Sequence, residues 1–227
     1  NTRNAFSTVQ CEKKNHSSEK LVNLIKSATV TLKTTQTFGQ DNIGIGIIIA
    51  KDEKYTYILS DSRGYRESPG AEATWEDGSK NYVQLVYSFA KEDYQAEEND
   101  LALYRFVGNK GGILPLQEDL PLLGSEVISL ISSDGPSTFN LLSGKVQAYK
   151  KYKTTYATDL DIEPLTSGSP LVDSYGCLIG IYANEYGKQF SISNKQISSM
   201  LKNYAKFKQK IHKILNQYPI KEGIAKW

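Results

Sequence analysis

Ser167 is the residue whose setting in this sequence best suits nucleophilic chemistry. It lies in a loop of small residues, Thr-Ser-Gly-Ser-Pro at positions 166–170, that leads directly into an apolar run. Gly168 frees the backbone beside the serine, and Pro170 is suited to begin a strand. A serine held in this way attacks a carbonyl carbon only if a neighbouring group takes its proton. The same pattern is also ordinary turn chemistry, so its meaning depends on the rest of the chain.

Histidine is the usual proton acceptor for such a serine, and the chain has only two. His16 lies in a polar N-terminal stretch, and His212 lies far along a terminal helical pattern, with no histidine between them. We interpret both as surface residues. The two cysteines, Cys11 and Cys177, lack CxxC spacing and are able either to form one disulfide or to remain free. The sequence therefore predicts no metal site and no cofactor.

The composition is that of a globular protein. The chain has 227 residues, of which 39% are hydrophobic, which is enough for one larger domain or for two lobes that share an interface. A net charge of +2 gives no indication of a nucleic-acid or membrane partner. No apolar run approaches the roughly 18 residues of a membrane span.

Short strands with frequent turn signals must position Ser167. After a flexible leader at 1–18 and a short serine-capped helix at 18–26, six strands are predicted at 30–34, 43–50, 55–59, 72–75, 82–89 and 101–106. Six more are predicted at 126–132, 139–149, 154–159, 170–172, 178–183 and 190–192. We assign 19–106 to a first lobe, 107–123 to a link and 124–193 to a second lobe. The pattern favours two small antiparallel barrels or a sandwich.

A long amphipathic helix is predicted at 194–218, followed by a tail at 219–227. Ser193 and Gln196 have the spacing of a capping box. Apolar residues then trace one face at helical spacing: Ile197, Met200, Leu201, Tyr204, Phe207, Ile211, Ile214 and Leu215. We expect this face to pack on the second lobe, and Pro219 to end the helix.

The same region carries the charge asymmetry of the chain. Between Tyr186 and Lys221 there is no acidic residue. Lysines occupy positions 188, 195, 202, 206, 208, 210, 213 and 221. Lys206 and Lys210 are therefore candidate binding residues for an acidic partner, with anionic lipid and nucleic acid as weaker candidates. The alternative is a solvated helix face.

Three segments, taken in order, resemble the trypsin-like serine proteases, above all the bacterial HtrA and related cyanobacterial branch. Gly-Ile-Gly-Ile-Ile-Ile at 44–49, followed by Tyr-Ile-Leu-Ser-Asp-Ser-Arg at 57–63, resembles the family's opening strand and histidine segment. Asn-Asp-Leu-Ala-Leu-Tyr-Arg-Phe at 99–106 is similar to the segment whose aspartate orients the catalytic histidine. The stretch 166–181 resembles the nucleophile loop and the strand after it. The resemblance covers about residues 30–192.

This resemblance implies an all-β fold of two six-stranded antiparallel barrels that meet at a cleft, together with the C-terminal amphipathic helix. It implies that Arg63, Asp100 and Ser167 occupy the triad positions. It also favours a location outside the cytoplasm, although the residues themselves leave the compartment open.

The resemblance also shows where this chain departs from an active protease. Arg63 stands at the histidine position, and a guanidinium offers no lone pair to accept the proton of the serine. Leu165 stands where the family has an oxyanion-hole glycine, and Ser169 also replaces a glycine. Two independent changes favour a non-catalytic homologue.

Two further expectations concern charged residues near the cleft. Arg63 and Asp100 are expected to form an ion pair, unless Arg63 points to solvent. Asp161, six residues before Ser167, stands at the position of a carboxylate that selects basic side chains in trypsin itself. It forms either a residual pocket for Lys or Arg, or a surface turn.

We therefore predict a pseudoprotease that acts as a protein- or peptide-binding module or as a structural subunit of an assembly. One alternative is an active serine endopeptidase with an unconventional base, such as a lysine that approaches Ser167. Another is a protease silenced by an engineered histidine-to-arginine change. Leu165 argues against this second alternative, because a single inactivating change would leave the oxyanion glycine in place.

Overall fold

The structure is a computed structural model of the 227-residue chain. It describes residues 7–35, 41–62, 68–88, 101–132, 139–150, 155–160, 167–185 and 188–217. Within these residues the chain forms two barrels of strands and two helices. Neither helix combines the length and the apolar character that crossing a membrane requires.

The first barrel is closed by six antiparallel strands. They are β2 (Thr29–Thr35), β3 (Asp41–Lys51), β4 (Tyr55–Asp61), β5 (Gly70–Thr74), β6 (Lys80–Ser88) and β7 (Leu101–Val107). The ring runs β3-β2-β5-β6-β7-β4 and closes because β4 also pairs with β3. The turn between β3 and β4 is held by Asp52, whose carboxylate accepts the N–H groups of Lys54 and Tyr55.

The second barrel repeats this architecture. Its strands are β8 (Glu126–Ser132), β9 (Phe139–Lys150), β10 (Thr155–Thr158), β11 (Pro170–Val172), β12 (Leu178–Glu185) and β13 (Lys188–Ser193). They close in the order β10-β13-β12-β11-β8-β9. Each predicted strand overlaps one of the twelve barrel strands. The prediction of two six-stranded antiparallel barrels with a C-terminal helix is therefore confirmed.

Three apolar clusters hold the barrels. One fills the first barrel around Ile48 and Ile58, and another fills the second barrel around Val146 and Ile179. The largest cluster lies between the two barrels and includes side chains from both barrels and from both helices. Seven consecutive residues of strand β3 are buried, so the strand packs both against the interior of its own barrel and against the cluster between the barrels. Its continuous apolar sequence reflects burial on both faces.

The helices begin at the predicted serines. Helix α1 (Ser18–Ser27) is capped by Ser17, whose hydroxyl accepts the N–H of Lys20 at 3.3 Å. At the start of α2 (Asn194–Gln217), Ser193 accepts the N–H of Gln196 at 3.4 Å. The first turns of α2 pack on β12 and β13, as predicted.

Helix α2 also reaches the first barrel, which the sequence did not predict. The ring of Tyr204 lies 6.1 Å from that of Tyr57 and 5.9 Å from that of Tyr87. The same apolar stripe thus contacts the second barrel early in the helix and the first barrel later, so the helix spans the junction between them.

The described part of the N-terminal segment is attached to the body, whereas the sequence predicts a flexible leader at 1–18. Strand β1 (Ser7–Thr8) pairs with β3, and Gln10 forms a bridge with Leu116. Cys11 forms a disulfide with Cys177. Backbone pairing and a covalent bond need no apolar periodicity, so neither is visible as a pattern of apolar residues in this segment.

Candidate functional site

Ser167 lies where the two barrels touch. Its carbonyl accepts the N–H of Ile45 from β3 at 2.8 Å, and this hydrogen bond crosses from one barrel to the other. The carbonyl of Ile45 in turn accepts the hydroxyl of Ser60 at 2.7 Å. Two backbone groups and one side chain therefore fix the serine loop against the first barrel.

Gly168 allows this close approach. Its φ of +89° lies in the left-handed region that favours glycine. A Cβ atom at this position would lie 2.1 Å from the carbonyl oxygen of Ile45 and 2.8 Å from the hydroxyl of Ser60. The glycine noted in the sequence is therefore required both by its backbone conformation and by its contact with the other barrel.

The hydroxyl of Ser167 donates a hydrogen bond to Asp61 Oδ2 at 3.0 Å. Asp61 ends strand β4 and is only 3% exposed. Its other carboxylate oxygen lies 3.5 Å from the hydroxyl of Ser60, at the limit of a hydrogen bond. The candidate site is thus a half-buried serine whose hydroxyl is bound to a buried carboxylate.

Asp61 is not among the site residues that the sequence predicts. The signal was present, because this acidic residue follows the apolar residues 57–59 and stands two places before Arg63. A charged residue at the end of a buried strand needs a partner, and Ser167 provides one across the cleft. The resemblance places Arg63, and not Asp61, at a triad position.

The predicted site residues divide into described and undescribed positions. Arg63, Asp100, Asp161 and Leu165 lie outside the described residues, so the expected Arg63–Asp100 ion pair and the basic pocket stay predictions. Of the candidate positions that are described, Ser167 lies in the cleft and Ser169 is fully buried. Lys206 and Lys210 are exposed on α2.

His16 lies at the surface of the N-terminal segment, between exposed neighbours. It is half-buried, and its ring carbon Cδ2 is 3.8 Å from the position of a Cβ on Gly176, in the turn between β11 and β12. The side chain of His212 lies outside the described part of the chain.

The disulfide fixes this same turn. Cys11 and Cys177 have Cα atoms 5.6 Å apart, and Cys177 is fully buried. Asp173 accepts the N–H groups of Tyr175 and Cys177, both at 2.9 Å. Burial raises the pKa of Asp173, against the lowering effect of these two hydrogen bonds and of Lys13. Both sulfur atoms near Asp173 are bonded to each other, so they offer no thiolate to a metal ion.

The comparison with known families concerns the part of the chain that contains this site. Residues 44–181 match the trypsin-like peptidase domain. The chain belongs to the trypsin-like peptidase family. The match includes Ser167 and most of both barrels, and it confirms the resemblance found in the sequence. No curated protein matches the sequence.

Two solved structures of trypsin-like proteases are similar to this chain. The serine endoprotease from Yersinia pestis has a TM-score of 0.66 at 19% identity. The match covers 84% of this chain and 67% of the Yersinia pestis chain. The HtrA-type protease AlgW, solved with a tripeptide, has a TM-score of 0.67 at 21% identity. The match covers 82% of this chain and 63% of the AlgW chain. The chain therefore spans less than two thirds of the second protein. At these identities the likeness establishes the double-barrel fold.

Proposed function

We propose that this member of the trypsin-like peptidase family binds a peptide or protein segment in its cleft without cleaving it. The observation that carries the proposal is the hydrogen bond from Ser167 to the carboxylate of Asp61 at 3.0 Å. The similar AlgW structure was solved with a tripeptide, which supports a peptide as the class of ligand.

A carboxylate beside the serine opposes hydrolysis in two ways. The general base that suits a serine nucleophile at neutral pH is a histidine imidazole, and the hydroxyl of Ser167 is bound to a carboxylate instead. A negative charge at this position also disfavours the serine alkoxide and the tetrahedral oxyanion that forms from it. The resemblance of the sequence adds to this argument, since it aligns Arg63 and Leu165 with the histidine and oxyanion positions of the family.

The test is labelling with a fluorophosphonate probe, which reacts quickly only with an activated serine. We expect no labelling of the wild type above the Ser167→Ala background, and only a small gain for Arg63→His while Leu165 remains. Rapid labelling of the wild type that is lost in Ser167→Ala would overturn the proposal.

The same hydrogen bond favours a second candidate, a serine hydrolase that uses Asp61 as its base. A carboxylate accepts the serine proton only while it is ionised, so this activity would be lost when acidification protonates Asp61. Rapid labelling at neutral pH that falls on acidification and disappears in Asp61→Asn would support this candidate over the first.

Charged residues outside this pair provide further proposals about partners. An Arg63–Asp100 ion pair would fill the former catalytic cleft, and coordinates that place the two groups far apart would refute it.

Asp161 would select basic side chains of a bound peptide. Asp161→Ala would then lose binding to basic peptides, and equal binding by the wild type and the variant would refute this role. Lys206 and Lys210 would meet an acidic partner, and salt-sensitive binding lost on exchange of both for Glu is the matching test.

A further inference from the structure

Helix α2 keeps its apolar face beyond the point where the barrels cover it. Ile197, Met200, Leu201 and Tyr204 are buried along this face. The same spacing continues to Phe207 and Ile211, which are 47% and 41% exposed. An apolar stripe that leaves the protein surface uncovered is typical of an interaction site.

The uncovered stripe forms one wall of a groove. A cavity of about 460 Å³ lies between α2 and the neighbouring strands β6 and β7. Its apolar lining comes from Leu85 and Val86 on the strands and from Tyr204, Phe207 and Ile211 on the helix. Leu85 and Val86 are half-buried and pack against two of the apolar clusters, so this part of the lining is anchored in the core. This volume accommodates several side chains of a docking segment.

The groove continues across the first barrel. A second cavity of about 270 Å³ shares Gln84 and Arg105 with the first. Its lining includes Tyr82 and Val107, which are 64% and 66% exposed. Tyrosine and arginine, which both line this second cavity, are residue types enriched in protein interfaces.

Arg105 gives the groove a fixed positive charge. Its guanidinium donates to Gln84 Oε1 through Nε at 3.1 Å and Nη2 at 2.8 Å, and it lies 4.6 Å from the ring centroid of Tyr55. None of the carboxylates in the described residues lies within 4 Å of it. A guanidinium held in place in this way is preorganised to bind a carboxylate.

Lys208 adds a second cation on the helix side. Its ammonium lies 3.1 Å from the hydroxyl of Tyr57 and 3.7 Å from Asp52 Oδ2, so it is held at the groove. The two cavities have no acidic lining residue among the described residues, and α2 contains no acidic residue at all. The groove is therefore apolar inside, and Arg105 supplies the positive charge at its edge, since the charge of Lys208 is balanced by Asp52.

We propose that this groove docks a segment of a partner protein that presents apolar side chains flanked by carboxylates. The apolar side chains enter between α2 and β6, and the flanking carboxylates pair with Arg105. This surface is separate from the Ser167 cleft and from the exposed Lys206 and Lys210. It does not depend on the catalytic state of Ser167.

The test is fluorescence anisotropy with the full chain and two labelled peptides of about 14 residues, roughly four helical turns. One peptide combines leucine and phenylalanine at helical spacing with glutamate, and the other has lysine in place of each glutamate. We expect the glutamate peptide to bind at least about tenfold more tightly, a difference of about 1.4 kcal/mol. Arg105→Glu and the double change Phe207→Ser with Ile211→Ser are each expected to weaken its binding by about tenfold or more.

Lys20→Glu is the matched control for Arg105→Glu. It makes the same change of charge at an exposed position on α1, away from the groove. We expect it to alter affinity by less than about twofold. Phe207 and Ile211 are exposed, so their replacement should leave the unfolding midpoint close to that of the wild type, which separates lost docking from lost folding.

Several results would overturn the inference. Absence of binding, or equal binding by the groove variants, would exclude the groove. An equal loss in Lys206→Glu with Lys210→Glu would assign the binding to the lysine face. Self-association in sedimentation velocity that is lost in Phe207→Ser with Ile211→Ser would identify a second copy as the occupant. A tenfold gain on changing Ile224 and Trp227 to serine would identify the tail as the occupant.

Discussion

At the scale of the residue, Gly168 connects backbone conformation to the contact between the barrels. Its positive φ places the carbonyl of Ser167 against β3, where it accepts the N–H of Ile45 at 2.8 Å. The orientation of the Ser167 hydroxyl toward Asp61 depends on this close approach. Any side chain at 168 would have to displace the carbonyl of Ile45, which is backbone and cannot rotate away.

Gly168→Ala should therefore be strongly destabilising. The left-handed conformation alone costs an alanine about 1–2 kcal/mol, and the overlap with Ile45 adds to this. We expect a total loss of about 3 kcal/mol or more in the free energy of unfolding, measured by urea denaturation.

Gly78→Ala is the matched control for this prediction. Gly78 has a φ of +77°, and a Cβ there would meet nothing within 4 Å. It should show the conformational cost alone, about 1–2 kcal/mol. Equal losses of stability in the two variants would contradict the prediction, because they would show that the overlap with the carbonyl of Ile45 adds no cost at position 168.

At the scale of the element, the second half of α2 is attached to the first barrel by a polar network. Tyr57, fully buried on β4, donates its hydroxyl to Asp52 Oδ2 at 2.6 Å and accepts a hydrogen bond from Lys208 at 3.1 Å. Burial works to raise the pKa of Asp52, but Tyr57, the N–H groups of Lys54 and Tyr55, and Lys208 together hold it below its ordinary value of 3.8. The network therefore favours the ionised carboxylate.

Tyr57→Phe removes the hydroxyl that is hydrogen-bonded to both Asp52 and Lys208 and leaves only their direct contact at 3.7 Å. Because the lost hydrogen bond involves a charged acceptor, we expect a loss of about 1.5–3 kcal/mol at neutral pH. A group whose folded-state pKa is lowered stabilises the fold above its unfolded-state pKa, and this contribution disappears as the pH falls through the folded-state value. The difference between wild type and variant should therefore shrink as the pH falls below 3.8.

Urea denaturation across this pH range checks the prediction, with Tyr82→Phe as control. Tyr82 is 64% exposed, so losing its hydroxyl should change stability by less than about 0.5 kcal/mol. A difference for Tyr57→Phe that is independent of pH would indicate that the hydroxyl acts without Asp52.

At the scale of the whole molecule, sequence patterns predicted the strands and helices, because these elements are marked by regular spacing of apolar residues and by local capping residues. The alternation in β2 and the serine caps of both helices are local signals, and their elements lie where predicted. The contact of Asp61 with Ser167 joins residues 106 positions apart and has no local signature. The passage of α2 from one barrel to the other depends on how the barrels pack, and a helical stripe records only that one face is buried.

The N-terminal segment is a further case in which packing decides. Its polar sequence predicts no structure, yet it pairs with β3 through Ser7 and Thr8 and reaches the second barrel through Cys11. The two cysteines alone allowed either a disulfide or free thiols. The fold decides between them, because the turn of Asp173 places Cys177 beside the segment.

The Cys11–Cys177 disulfide should contribute substantially to the stability of the whole chain. It joins residues 166 positions apart, and a long closed loop restricts the unfolded chain strongly. The double change Cys11→Ser with Cys177→Ala should lower the free energy of unfolding by about 3–5 kcal/mol in urea denaturation. Alanine is chosen at 177 because this position is fully buried, and a serine there would bury a hydroxyl. Wild type treated with reductant should match the variant, and the variant itself should be insensitive to reductant. Equal stability of oxidised and reduced wild type would show that the N-terminal segment stays in place by strand pairing alone.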